Sequence, residues 1–280
     1  MPGDSRISEV GVCSWSVRPA SPVDLAAAAA ECGVVCVQLA LDPLRTGAWA
    51  LDETRDALAA GGTRIVSAMM GMAGEDYSSI PAIRRTGGVR PDETWDANRA
   101  ASAANADLAR ELGVDLVTFH AGFIPEDQDD PERETMIERL AELAGVFGDR
   151  AVHVALETGQ ERADTLLGVL ADERLTAVGV NFDPANMLLY GSGDPVEALR
   201  QLAPRVMQVH LKDADPAPAP DVWGAERPLG EGKVDWPAFF SVVEQRLPGV
   251  NLIIEREAGE TRVRDIRQAA EMARGYGFGG

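Results

Sequence analysis

Disulfide bonding has little to work with in this chain of 280 residues, which holds three cysteines: Cys13, Cys32 and Cys36. An odd number inside apolar segments suits buried thiols in a reducing cytosol better than an extracellular disulfide framework. Cys32 and Cys36 are separated by Gly33 and a valine-rich run, so they read as small core hydrophobes rather than a ligand pair. Positive charge is also in deficit: Lys and Arg total 26 against 45 Asp and Glu, a formal net charge of −19. Such a surface repels nucleic acid unless a basic patch or bound metal intervenes. No apolar run approaches the roughly 18 residues that cross a bilayer. The opening Met-Pro-Gly-Asp-Ser-Arg-Ile has neither the basic start nor the apolar block of a secretory leader. The expectation is a cytoplasmic protein with no membrane and no nucleic-acid partner.

What remains is 45% hydrophobic and 25% charged, ordinary for a globular chain. Short β-branched or apolar runs alternate with longer Ala/Leu/Glu/Arg-rich stretches. The pattern predicts strands near 8–14, 34–40, 64–70, 114–120, 152–158, 178–183, 206–211 and 251–256. It predicts helices near 22–32, 51–61, 94–112, 131–147, 161–172, 194–203, 236–246 and 262–275. Ser21-Pro22-Val23-Asp24, Asp194-Pro195 and Asp235-Trp236-Pro237 carry helix-start chemistry, and Gly33, Gly62 and Gly113 suit helix stops. Strict βα alternation implies a parallel sheet. Eight units in about 250 residues is the count of a closed (β/α)8 TIM barrel, an α/β fold, here as a single domain over 1–280. A doubly wound sheet is the lesser reading, because the first strand runs into Cys13-Ser14-Trp15-Ser16 with no Gly-rich phosphate loop. Two loops are long, 71–93 and 212–235, and long loops at one barrel end are commonly lids or binding loops. Within the second, Pro216 to Pro220 reads as a stiff spacer.

A barrel works at the C-terminal ends of its strands. Strand five ends at Glu157, six at Asp183, seven at His210 and eight at Glu255, separated by 26, 27 and 45 residues. Neighbouring strands lie about 4.8 Å apart, so two Glu, one Asp and one His can converge above the barrel. Crowded carboxylates need counter-charge. One imidazole among hard oxygens suits one divalent cation, Mn²⁺ or Mg²⁺ first, with Co²⁺ and Zn²⁺ also compatible.

Glu157 in VALETG, Asp183 in NFDPANM, His210 in VHLKDA and Glu255 in IIERE resemble the metal site of the xylose isomerase-like TIM-barrel superfamily. That grouping holds sugar isomerases, ketose 3-epimerases, inosose dehydratases and, distantly, apurinic endonucleases of family 2. PLGEGKVDW at 228–236 resembles its Gly-x-Gly loop before the last helix. The resemblance implies that Glu157 and Glu255 are both metal ligands and the catalytic proton-transfer pair, acting on a sugar or sugar-like polyol ketone through a metal-stabilised enediolate. The expected activity is isomerase or epimerase in carbohydrate metabolism. A dehydratase or C-glycoside-cleaving lyase shares the first proton abstraction, and a non-catalytic sugar- or metal-binding subunit is a further alternative. Trinuclear endonucleases of the superfamily need histidines where this chain has Ser67, Met69, Met70, Asn186 and Asp221-Val222-Trp223, which argues against a nuclease. Ketose 3-epimerases of the superfamily tend to have histidine at the position of Asn186, so this chain departs from their pattern there.

The substrate-binding candidates are His120, Lys212, Asn186 and Trp15. His120 ends strand four beside the cluster, and Lys212 shares parity with His210, although a salt bridge to Asp213 or Glu231 is an equal reading. His153 lies about 13 Å below Glu157 on the same strand and reads as structural. Glu257 is a weaker ligand candidate than Glu255. Trp15, Met70, Phe123 and Trp223 can wall a sugar pocket, though such residues at strand ends are more often core. Arg84 and Arg85 read as a solvated surface pair. The partner is a small carbohydrate, and a homo-oligomer is left open.

Overall fold

Strand and helix alternate as the periodicity requires. The computed structural model describes residues 8–279; the opening segment, read as lacking a leader, lies outside them. In chain order the elements are β1 (Val10–Cys13), α1 (Pro22–Cys32), β2 (Cys36–Ala40), α2 (Asp42–Arg45), α3 (Leu51–Ala60), β3 (Arg64–Met69), α4 (Ile80–Thr86), α5 (Asp92–Leu112), β4 (Leu116–Phe119), α6 (Pro131–Gly148), β5 (His153–Glu157) and α7 (Ala163–Leu170). They continue with β6 (Gly179–Phe182), α8 (Pro184–Tyr190), α9 (Pro195–Leu202), β7 (Val206–Leu211), β8 (Asp213–Asp215), β9 (Ala225–Arg227), α10 (Trp236–Arg246), β10 (Asn251–Ile254) and α11 (Arg262–Gly275). Eight strands close a barrel in the order β1-β10-β7-β6-β5-β4-β3-β2, and their pairings are parallel. The barrel reading holds, as one domain. Among the described residues no helix is long and apolar enough to cross a membrane.

The helix starts behave as their sequences require. Ser21, Asp194 and Asp235 accept from the backbone N–H of Asp24, Glu197 and Ala238. The helices before β2 and β4 stop at Gly33 and Gly113, whose φ values of 73° and 71° lie in the left-handed region.

Three short helices and one ribbon were not legible in advance. α2 opens at Asp42-Pro43 and α8 at Pro184, turns too short for any periodicity to register. α4 lies within the long 71–93 loop, with the Ser79 hydroxyl capping Ala82. The 212–235 segment folds back as the antiparallel pair β8–β9, with the proline-rich spacer at its turn.

Side-chain alternation sorts the strands into two layers. Val12, Leu39, Val117, Leu156, Phe182, Val209 and Ile254 face outward into one apolar layer with the helices. The inward positions carry polar groups: Gln38, Ser67, Thr118, Asn181 and Gln208 are each fully buried. Buried polar groups must find partners, and these find one another. Gln38 Nε2 donates to Thr118 Oγ1 (2.8 Å), Ser67 Oγ to Gln208 Oε1 (2.5 Å) and Gln208 Nε2 to Asn181 Oδ1 (3.2 Å). This polar floor lies beneath the C-terminal mouth.

Candidate metal centre and its pocket

Glu157 and Asp183 are set by a hydroxyl between the ends of β5 and β6. Thr158 Oγ1 donates to the Asp183 carbonyl (3.0 Å) and accepts from its N–H (2.8 Å). Asp183 is also the N-cap of α8: Oδ1 accepts from Asn186 N–H at 2.9 Å. Its other oxygen, Oδ2, is buried with no hydrogen-bond partner. On β7, His210 Nε2 donates to Gln38 Oε1 at 2.7 Å. That bond orients the ring so that Nδ1, also buried and without a hydrogen-bond partner, faces the carboxylates and offers a lone pair there once its proton is lost. Nδ1 lies 3.5 Å from Glu157 Oε1, 3.7 Å from Asp183 Oδ2 and 3.4 Å from Glu255 Oε2.

Glu157, Asp183, His210 and Glu255 thus turn one donor atom each toward a common point, all four atoms within 4.8 Å of one another. An orphaned carboxylate oxygen and an orphaned imidazole nitrogen at the centre of that set fit a divalent cation. Cys13 forms a second trio with His210 and Glu255. Burial pushes its thiol up to about 12, so it stays protonated, 3.7 Å from His210 Nε2 on the floor side.

Charges confirm how crowded the centre is. Burial opposes ionisation of Glu255, but Lys212 and His210 beside it outweigh that and hold it well below the usual carboxylate range. Glu157 is likewise lowered, burial losing to His120 and His210. Asp183 goes the other way: burial, opposed by Lys212, raises it to about 6. Burial would discharge His210, yet the surrounding acidic groups hold its proton well above the ordinary value. Three carboxylates here share one imidazolium and one ammonium, so cation binding must displace the His210 proton.

Above the centre opens a cavity of about 680 Å³. Each substrate-binding candidate reaches it. Lys212 is 4% exposed and donates to Glu255 Oε2 (2.9 Å), Glu257 Oε2 (2.9 Å) and Asn186 Oδ1 (3.3 Å), so its partners are neither Asp213 nor Glu231. Asn186 Nδ2 donates to Glu157 Oε1 at 2.9 Å, tying the two ends of the cluster together. Trp15 Nε1 donates to the other Glu255 oxygen at 2.7 Å. His120 Nε2 stands 3.8 Å from Glu157 Oε1, its Nδ1 buried and unpartnered. Glu257 lies at the rim, half-exposed and bound to Lys212.

Several expectations need correction. Trp15, Met70 and Trp223 line the cavity rather than serving only as core, because the loops after β1, β3 and β7 fold over the mouth. Arg84 is not a solvated partner of Arg85: it bonds Asp221 at 2.7 Å, joining the two long loops, and lies over the Phe123 ring. His153, at the far end of β5, is exposed and takes no part. Asp213, read only as a salt-bridge alternative, organises the Gly-x-Gly loop. Its carboxylate accepts from the N–H groups of Gly230, Gly232 and Val234 and from Trp236 Nε1. A Cβ at Gly232 would meet Asp213 Oδ1 at 2.2 Å, so only glycine fits.

Glu75, Tyr77, Tyr190 and Glu226 also line the cavity and carried no signal in their own stretches of sequence. Glu75 accepts from Gly88 N–H (3.0 Å), and burial raises its carboxyl against the pull of His120. Glu226 bonds Arg256 (2.6 Å) and the N–H groups of Glu257 and Ala258, holding the loop after β10.

Residues 26–276 match the family model described as xylose isomerase-like TIM barrel. Among solved structures, the chain is similar to a xylose isomerase domain protein from Planctomyces limnophilus, with 32% identity, a TM-score of 0.83, and coverage of 89% of this chain and 91% of that one. It shares its fold with the probable 3-DHS dehydratase AsbF from Bacillus anthracis (18% identity, TM-score 0.72, 96% of this chain and 99% of that one). The same holds for D-allulose 3-epimerase from Methylomonas sp. (17%, 0.72, 97% and 98%). Comparison with curated proteins gave no match.

Proposed function

The chain belongs to the xylose isomerase-like TIM-barrel family, and from that premise we propose that it is a divalent-metal-dependent isomerase or epimerase of a sugar or sugar-like polyol ketone. The observation that carries this reading is the unsatisfied pair at the centre: Asp183 Oδ2 and His210 Nδ1, buried without partners between Glu157 and Glu255. Burial of unpaired polar atoms is costly, and a ligand that they bind removes the cost.

Glu157, Asp183, His210 and Glu255 would hold the ion. Three oxygens and one nitrogen favour Mn²⁺ or Mg²⁺, with Co²⁺ and Zn²⁺ also compatible. When bound, it supplies Lewis acidity to the substrate's carbonyl and neighbouring hydroxyl oxygens. The proton moves are made by the chain itself. β5 and β10 are separated in the barrel by β6 and β7, so Glu157 and Glu255 reach the substrate from different sides. One glutamate takes the proton from the carbon beside the carbonyl. The other returns a proton to the opposite face, or the proton passes to the neighbouring carbon. Both carboxyls are held below the ordinary range and are ionised at neutral pH, as a base requires. Asn186 and Trp15 fix their orientation, while Lys212 and His120 are donors for substrate oxygens. Trp15 and Trp223 offer ring faces to sugar C–H surfaces.

Elimination is the second reading. Lys212, an ammonium 2.9 Å from Glu255, is placed to protonate a departing oxygen after the same first step. Metal-reconstituted protein in D2O separates the two: C–H exchange in unreacted sugar without a new unsaturated ketone supports the isomerase or epimerase, and the enone supports the lyase. Glu157→Gln and Glu255→Gln should each lower exchange by about 10²–10⁴-fold with the fold intact. Undiminished exchange in either variant refutes the assigned roles.

A further inference from the structure

The two long loops start from opposite sides of the barrel and meet over its mouth. Three strands separate β3 from β7 either way round, yet Arg84 on α4 and Asp221 between β8 and β9 stand 2.7 Å apart. The α4 side is firmly seated: Ile80 and Ile83 are buried, and the Arg84 carbonyl accepts from Arg90 Nη1 at 2.7 Å. The β8–β9 side is seated only at its base. There Asp213 holds the Gly-x-Gly loop and Glu226 holds Arg256. The N–H groups of Ala217 and Gly224 donate to the Leu188 and Leu189 carbonyls (2.8 and 3.1 Å). Between those two anchors, residues 218–222 are exposed.

That exposed tip is stiff. Pro216, Pro218 and Pro220 fix φ at alternate positions, and the chain then turns at Asp221, a non-glycine residue with φ of 61°. A left-handed backbone is disfavoured at such a residue and persists where its surroundings hold it; here the holder is the Arg84 guanidinium. The turn carries Trp223 to the pocket, where its ring packs against Tyr190 with centroids 4.7 Å apart. Tyr190 in turn meets Phe123 at 5.5 Å, and Arg84 lies over the Phe123 ring at 4.9 Å. Arg84, Phe123 and Tyr190 also line, with Glu161, a second cavity of about 550 Å³. The roof is thus one row of contacts fastened by an ion pair whose side chains are 42% and 47% exposed. Such a pair is weak and is screened by salt. A weak fastening on a stiff strap suits repeated opening.

We propose that residues 216–224 form a flap that closes over sugar bound in the 680 Å³ pocket, with Arg84 and Asp221 as its clasp. Closed, the flap shields the proton transfer between sugar and glutamate from water; open, it lets product leave. The inference rests on the proposed isomerase reading for what the pocket holds, but not for the motion.

The test follows Trp223 by fluorine NMR in the Mg²⁺-reconstituted full chain labelled with fluorotryptophan, its resonance assigned by Trp223→Phe. Asp221→Asn removes one charge and keeps a side chain that tolerates the left-handed backbone. Arg84→Glu reverses the other charge, and Arg84→Glu combined with Asp221→Lys exchanges the two. Two states of Trp223 are expected, as separate or exchange-broadened signals. Asp221→Asn should raise the open-to-closed ratio about threefold and Arg84→Glu about tenfold. The exchanged pair should restore the ratio to within about twofold. About 1 M KCl should move the wild type as Asp221→Asn does, without moving that variant further. A single signal, or populations that ignore salt and both single variants, overturns the clasp. So does an exchanged pair no better than the Arg84→Glu reversal. Across a panel of ketoses, aldoses and inososes, any sugar whose C–H exchanges in D2O should show kcat and KM rising together in Asp221→Asn, because release quickens as closure weakens. Constant kcat and KM would leave the flap without a role at the pocket and overturn the proposal. Trp223 populations that follow the clasp variants, with no sugar in the panel exchanging, support the clasp and refute the isomerase reading.

Discussion

Replacing Glu161 by Gln tests the electrostatics of the second cavity through stability alone. Gln keeps the shape and hydrogen-bonding capacity of the side chain but cannot ionise. In the folded chain the Glu161 carboxyl titrates at about 8, because burial raises it more than His120 lowers it; the ordinary value is 4.5. Between those two pH values the folded state binds a proton that the unfolded state has released, so stability falls as pH rises through this window. At 1.36 kcal/mol per unit, the full interval is worth on the order of 4–5 kcal/mol, reduced by any loop movement that admits water. At pH 5, near the lower end of that window where little of the difference has developed, wild type and Glu161→Gln should agree within about 1 kcal/mol. By pH 9 the variant should be the more stable by several kcal/mol. Urea midpoints on metal-free protein across that range, at constant m-value, read the difference directly. A flat difference, or one growing in favour of wild type, would show a carboxylate already ionised and paired, and the neutral-acid argument would fail.

Other perturbations act on the candidate metal centre and its supports. Gln38→Leu removes the acceptor that orients the His210 ring, so Mn²⁺ affinity by titration calorimetry should fall about 10–100-fold; unchanged affinity would show that His210 needs no such anchor. Lys212→Met should cut C–H exchange by roughly 10²-fold. Metal affinity should hold or rise in that variant, because the ammonium no longer competes for Glu255 Oε2; weaker metal binding would contradict this placement. Gly232→Ala drives a methyl into Asp213 Oδ1 and should lower stability by about 1–3 kcal/mol in denaturant melts, whereas a neutral result would mean the loop does not depend on that contact.

The eight barrel strands were legible because each is a short apolar run bounded by a capped helix, a local pattern that tertiary context does not override. Glu157, Asp183, His210 and Glu255 were legible for a related reason: strand parity and strand order place their Cα atoms at the same level once a barrel is granted. Gln38, Asn181 and Gln208 were visible only as polar residues interrupting apolar runs, with nothing to say that they bond one another. Tyr190, Glu75 and Glu226 sit on segments whose direction depends on what they pack against, so their positions in sequence carry no periodic signal.

Sequence alone therefore determined the architecture and the identity of the four clustered side chains, since both follow from hydrophobic period and from where strands end. Tertiary structure decided which atoms are left without partners, that Lys212 faces Glu255 and Glu257, that Arg84 ties one long loop to the other, and that Tyr190 stands between two cavities. Those outcomes depend on distances across the barrel mouth, between residues far apart in the chain, and such distances exist only once the sheet has closed.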